Sequence, residues 1–336
     1  MAPTKVAVVG GAGQTGESIM NGLLEAGNLL MTVHHGACPS LVRLQKGNVA
    51  LKERGVDIVP ADFTGPEDEL VKVLTDVDVV VSAIGPHNQL DQIPLATAAK
   101  KAGVKRFLPC GFITVAPPGG IMWLRDVKEE VYNHIKKLYL PYTIVDVGWW
   151  YQIAFPALPS GKIDYMAAPM STLIKDGNTP SALTDLRDIG KYIAKIIDDE
   201  RTLNKYVLAY DELWTPNQVY DLLEKLSGET LERKYTSAEE LQTTISESKE
   251  KLKTNPGDFA AMMKSVAAEY QYSWGARGDN TPEYAKYLGY LTTKDLYPDL
   301  QGIKFEDFLK DVIAGKAKPV YEDMPEEIKK IMKQAK

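Results

Sequence analysis

The first 156 residues alternate short apolar runs with amphipathic stretches in a regular rhythm. "KVAVVG" is an apolar, β-branched run of strand length. "TGESIMNGLLEAG" after it spaces its apolar residues as a helix does, up to Gly27. The same alternation continues. "LLMTVHH" reads as a second strand, "PSLVRLQKGNVALKERG" as mostly helix and "VDIVPAD" as a third strand. "PEDELVKVLTDV" reads as a helix with Pro66 in its first turn, "DVVVSAIG" as a fourth strand and "LDQIPLATAAKKAG" as a helix. "VKRFLPCGF", "RDVKEEVYNHIKKLYL" and "PYTIVDVG" add a fifth strand, a helix and a sixth strand. Strands that are apolar throughout and separated by helices predict a parallel sheet covered on both faces, the doubly wound α/β (Rossmann-type) class.

After Pro156 the texture changes. "ALPSGKIDYMAAPMSTLIKDGNTPSALTD" has Gly and Pro at short intervals and reads as loops with short strands. "LRDIGKYIAKIIDDE" reads as a helix, "NKYVLAYDE" as an edge strand, and "TPNQVYDLLEKLSG" as a helix opened by Thr215 and Pro216. The remainder is largely helical, interrupted by a loop at "GARGDNTPEY". These patterns divide the chain into a dinucleotide-binding domain, residues 1–155, and a smaller, mostly helical substrate lobe, residues 156–336. Residues 183–215 are expected to return to the sheet.

Composition narrows the function classes. The net charge of −6 and the absence of a basic tract argue against nucleic acid or an anionic membrane as partner. The 2 cysteines and 4 histidines show no metal spacing, so no metal site is expected. Two isolated cysteines suit a reducing compartment. "MAPTK" lacks an apolar segment, and no run approaches the length of a membrane span, so a cytoplasmic location is expected.

Glycines crowd where the first strand becomes the first helix. Gly10, Gly13 and Gly16 stand in a G-x-x-G-x-x-G spacing. Gly10 permits a tight turn, Gly13 lets backbone approach a pyrophosphate, and Gly16 lets the helix pack on the strand. The helix start, with Gln14 and Thr15, then offers free N–H groups and a positive dipole end to phosphates. The spacing resembles that of the short-chain dehydrogenases. An acidic residue after the second strand would accept the ribose 2′-hydroxyl, and a base would meet a 2′-phosphate. "MTVHHGACPSLVRLQKG" has no Asp or Glu and carries His34, His35, Arg43 and Lys46. The expected cofactor is therefore NADPH. His34 and Arg43 are candidate phosphate contacts, and the choice among the bases stays open. "SAIGPHNQ" should pass beside the adenine and ribose, with Ala83, Gly85 and Pro86 as contacts and His87 as a loop residue.

"VYNHIKK" holds Tyr132 and Lys136 at the Y-x-x-x-K spacing of a short-chain dehydrogenase acid and its helper. Register argues against the pair. In extended members of that group the lysine lies thirteen residues before the proline opening the next strand, and counting back from Pro141 gives Lys128. Leu124 stands where the tyrosine would be. Together with "GGAGQTG", "DVVVSAIG", "AAKKAGVKRFLPCGF" and "DLRDIGKYIAKIIDDERTLNK", this helix resembles the NmrA-like, isoflavone reductase-like group of atypical short-chain dehydrogenases, in its fungal branch. The resemblance runs to about residue 240. Cys110, Gly111 and Phe112 depart from the Ser-Glu-Phe or Ser-Asp-Phe common there.

The resemblance implies an NADPH-dependent reductase of a small metabolite of phenylpropanoid, isoflavonoid or polyketide kind. Hydride would pass to a carbonyl or activated double bond, with Lys128 as catalytic residue and ribose contact. If Lys128 only holds the ribose, the proton would come from water or another side chain, with Tyr151 and Tyr165 as candidates. "VGWWYQIAF" follows strand six at the carboxyl edge, where ligands of such sheets bind. Trp149, Trp150 and Tyr151, with Phe112, are candidate substrate walls. Trp123 flanks the same edge, while Tyr270, Tyr272 and Trp274 either close the pocket or form the lobe's own core. The partner expected is a small-molecule substrate, with a homodimer left open. Two alternatives remain. Some NmrA-like proteins sense dinucleotides and control a transcription factor, but these generally lack the lysine. A redox-neutral isomerase could use the same scaffold.

Overall fold

The computed structural model describes residues 3–35, 46–63, 65–163 and 172–321. Five strands, β1 (Lys5–Val9), β2 (Leu29–His35), β3 (Asp57–Ala61), β4 (Val79–Ser82) and β5 (Arg106–Leu108), pair in parallel in the order β3-β2-β1-β4-β5. Between and after them run α1 (Gln14–Glu25), α2 (Lys46–Glu53), α3 (Glu67–Leu74), α4 (Gln92–Lys101) and α5 (Trp123–Lys137). The next strand, β6 (Thr143–Asp146), joins β5 through the single bridge Phe107–Tyr142.

The alternation of side chains along β1 explains why helices cover both faces. Val6 and Val8 point into one core with Ile19 and Leu23 of α1. Ala7 and Val9 point into the other, with Leu70 of α3, Leu95 of α4 and Val131 of α5. Each buried aliphatic side chain contributes about 1.5–3 kcal/mol relative to exposure.

The chain continues through β7 (Trp149–Trp150), β8 (Leu173–Ile174), β9 (Ser181–Thr184), α6 (Ile189–Ile196), β10 (Lys205–Leu208), β11 (Glu212–Trp214) and α7 (Pro216–Ser227). Then come β12 (Tyr235–Thr236), α8 (Ala238–Thr254), α9 (Phe259–Gln271) and β13 (Leu291–Thr292). α6 lies beside α1, with Gly22 against Gly190: a methyl group added to Gly22 would stand 2.2 Å from the Gly190 carbonyl oxygen. β10 pairs in parallel with β6 in a three-stranded sheet, while β9 and β11 pair with β7 in another.

Two expectations need correction. β10 is not an edge strand, because the two-residue β13 pairs with its outer side. A pair of residues carries no periodic signal. The segment at "GARGDNTPEY" is not a plain loop either. It starts in a π-helical turn, and Asn280 behind it is fully buried. Its side chain accepts from Val115 N and donates to Ser181 Oγ and the Ala182 carbonyl. Among the described residues no helix is long and apolar enough to cross a membrane.

Candidate active site

The glycine turn closes on its own backbone. Gly10 has φ +80°, and its N–H donates to the Val33 carbonyl of β2 at 3.1 Å. Thr32 Oγ1 accepts from Gly11 N and donates to the Val8 carbonyl, tying β1 to β2 beneath the turn. A methyl group on Gly16 would lie 2.1 Å from the Gly10 carbonyl oxygen. Gly16 therefore lets the helix pack on the turn itself rather than on the strand. Gly13 is the N-cap of α1, is exposed, and supplies no side-chain cap. The first N–H groups of that helix, at Gln14 and Thr15, thus have no capping side chain, and both residues are half-buried.

The end of β4 meets this turn. A methyl group on Gly10 would be 2.8 Å from the Ala83 carbonyl oxygen, and Ala83 N donates to Val9 O. Gly85, two residues on, has open space where a side chain would stand. The carboxyl ends of β1 and β4 thereby lie side by side. Arg43 and Tyr165 lie outside the described residues, as do the side chains of His34, His35, Lys46, Pro86 and His87.

Lys128 lies on α5 and is 2% exposed. Distant parts of the chain fix the start of this helix. Asp126 accepts from Gly119 N and Gly120 N, and Trp123 N donates to Glu269 Oε2 of α9 at 2.8 Å. The Lys128 ammonium donates to Gln89 Oε1 at 2.9 Å and to the Cys110 carbonyl, with Cys110 Sγ at 3.7 Å. Burial pushes its pKa down, Cys110 and Asp146 pull it back up, and Arg125 lowers it further. One turn before Lys128, the wholly buried Arg125 pairs with Asp146 of β6, which also accepts from Tyr290 Oη at 2.7 Å. Burial opposes the guanidinium charge, and Asp146 outweighs it.

Tyr132 and Lys136 take no part. Tyr132 is buried in the core, edge-on to Tyr206, and Lys136 Nζ donates to Tyr206 Oη at the surface.

The expected aromatic wall separates into different fates. Trp149 is half-buried against Tyr270, at 5.3 Å between ring centres, and Trp274, at 6.0 Å. Trp150 stacks on Tyr321. Tyr151 is a correction: it is fully buried between Phe305 and Phe308, and its hydroxyl donates to the Ile303 carbonyl. It can neither face a substrate nor give a proton there. Phe112 is a second correction. With φ +54° and its N–H on the Val145 carbonyl, its ring turns into the core beside Val147. Trp123 is exposed. Tyr270 lies among groups that also act on Lys128. Burial pushes its hydroxyl up, and the nearby charged groups it feels are Arg125, Tyr321, Asp146 and Cys110. The sequence reading missed Gln89, Gln92, Arg125 and Asp146. Only the exceptional burial of polar residues marks them, and no local pattern shows that.

Residues 3–280 match the model of the NmrA-like family. The chain is 44% identical over 313 residues to asnovolin J 5′,6′-dehydrogenase nvfM of Aspergillus novofumigatus (strain IBT 16806), covering 92% of this chain and 95% of that one. It is 27% identical over 320 residues to an isoflavone reductase-like protein of Olea europaea, covering 92% and 99%. Among solved structures, AtPrR2 with NADP+ and (+)pinoresinol superposes with a TM-score of 0.74 at 26% identity, covering 93% and 99%. The leucoanthocyanidin reductase–NADPH complex of Vitis vinifera superposes at 0.75 with 23% identity, covering 92% and 99%, a likeness of fold. With residues 3–280 matched by its model and a 44% identical relative covered almost end to end, this protein belongs to the NmrA-like family.

Proposed function

We propose that the chain is an NADPH-dependent oxidoreductase that reduces a small, flat aromatic metabolite of phenylpropanoid, isoflavonoid or polyketide kind. An isoflavone reductase-like relative and a structural neighbour with NADP+ and (+)pinoresinol bound support this reading. So does the fit of the turn. The uncapped start of α1 can take the diphosphate, with Gly10, Gly13, Gln14, Thr15 and Gly16 around it. Ala83, Gly85 and Pro86 would lie along the nucleotide. The bound cofactor supplies the hydride. Lys128 would orient the nicotinamide ribose and the substrate oxygen, and would hold the proton that the reduced product needs. Trp149 and Tyr270 would form the aromatic wall, where stacking adds about 0.5–1.5 kcal/mol per ring beyond burial.

The observation that carries the proposal is the buried ammonium of Lys128 at the carboxyl edge of the sheet. A lysine kept out of water without a carboxylate partner is costly, and such groups cluster where chemistry uses them. The 44% identical relative is named a dehydrogenase, which favours the opposite direction as a second reading. The same site would then oxidise a substrate with NADP+. Absorbance at 340 nm, followed with aryl ketones and enones plus NADPH and with their reduced forms plus NADP+, distinguishes the directions. Turnover should fall about 10²-fold or more in Lys128→Met. Binding of NADPH without consumption by any substrate would support a dinucleotide sensor instead.

A further inference from the structure

The fully buried polar side chains around Lys128 form a closed set. Gln89 is 2% exposed and sits in the 3₁₀ turn Pro86–Asp91 that follows Gly85. Its amide has no freedom to flip. Nε2 donates to the Gly85 carbonyl at 3.0 Å and approaches Cys110 Sγ at 3.7 Å. Oε1 accepts from Lys128 Nζ at 2.9 Å and from Gln92 Nε2 at 3.2 Å. Gln92, itself fully buried, donates to the Gln89 carbonyl and accepts from Cys110 N at 2.7 Å. This network settles which end of the amide is oxygen.

Lys128 makes no ion pair with a described carboxylate. Two neutral oxygens, on Gln89 and Cys110, hold its ammonium. The charged and titratable groups that act on it are Cys110 beyond β5, Asp146 on β6 and Arg125 on its own helix. A hydrogen bond to the charged form favours that form, and in a dry site each acceptor counts heavily.

We propose that Gln89 is a positioning residue for Lys128: its amide oxygen holds the ammonium in place and charged, and its amide nitrogen anchors that hold to the Gly85 loop. The loop assigned to the nucleotide and the lysine assigned to the chemistry then share one side chain. This rests on the oxidoreductase reading for its catalytic consequence, though not for the contact itself.

Lys128 must be protonated to give a proton, so activity should disappear as pH rises through its pKa. Removing one acceptor lowers that pKa, and a carboxylate in its place raises it. The test compares the pH profile of kcat/KM for wild type, Gln89→Leu and Gln89→Glu with the substrate that wild type consumes. In Gln89→Leu the alkaline limb should move down by about one pH unit and kcat should fall about tenfold or more. In Gln89→Glu the limb should move up and kcat should recover most of that loss. Limbs coinciding with wild type in both folded variants overturn the proposal. Should Gln89→Leu fail to fold, the isosteric Gln89→Glu carries the test alone: an upward shift supports it and no shift overturns it. NADPH affinity against pH, read by cofactor fluorescence, gives the same comparison without turnover. If wild type consumes no cofactor, the reductase reading fails, and the Gln89 assignment is judged on that binding profile by the same criteria.

Discussion

Helix α1 and helix α7 begin in opposite ways. At α7 the Thr215 hydroxyl accepts from Gln218 N, the Gln218 side chain accepts from Thr215 N, and Pro216 fills the first position. Ser237 and Glu240 repeat the device at α8. These ends use their own side chains to satisfy backbone N–H groups, each worth about 1 kcal/mol. At α1 the N-cap is Gly13, with no side chain to offer. The protein forgoes that stabilisation at this helix start, which lies beside the carboxyl ends of β1 and β4. Under the proposed function, the difference separates a helix end closed by its own side chains from one left free to take an anion.

Three substitutions would break or sharpen this contrast. The largest effect is expected from Gly16→Val, whose Cβ would stand 2.1 Å from the Gly10 carbonyl and 2.9 Å from Gly11 Cα. Backbone on both sides must move, so a loss of about 3 kcal/mol in the denaturant midpoint, together with loss of NADPH binding, is expected. Gly13→Ala should separate the two properties. Its Cβ meets only the Gly10 carbonyl, at 3.3 Å. The fold should tolerate it within about 1 kcal/mol, while NADPH binding by fluorescence titration weakens about tenfold because the methyl group occupies the phosphate approach. An unchanged affinity would remove the anion role from this turn. The smallest effect is expected at the capped helix. Thr215→Ala should cost about 1 kcal/mol of stability and leave NADPH affinity as it was. An affinity loss there would show that the contrast between the helix starts is not functional.

Much of the first 150 residues was legible because each element carries its own period. Strands β1 to β6 and helices α1 to α5 announce themselves by apolar runs, by helical spacing and by glycines at their junctions. Lys128 was singled out by its distance from Pro141, a count borrowed from the short-chain dehydrogenases, and the structure places it buried on α5. Tyr151 and Phe112 were misplaced for a physical reason. An aromatic side chain near a ligand edge can turn either to the cleft or to the core, and neither choice alters its local pattern. Phe112 is turned inward by a left-handed backbone conformation, and Tyr151 by Phe305 and Phe308 of a segment more than 150 residues away.

The amino-acid sequence by itself settled the order of strands and helices in the first 150 residues, the glycine turn and the helix that carries Lys128, because these depend on spacing among near neighbours. Tertiary structure alone decided what surrounds that lysine. Gln89 and Cys110 bind it from the segments that follow β4 and β5, Asp146 of β6 acts on its charge, and Glu269 pins the start of its helix from 146 residues away. Burial, amide orientation and the balance of charge around an ammonium group are properties of that convergence, and no stretch of the chain contains them before it folds.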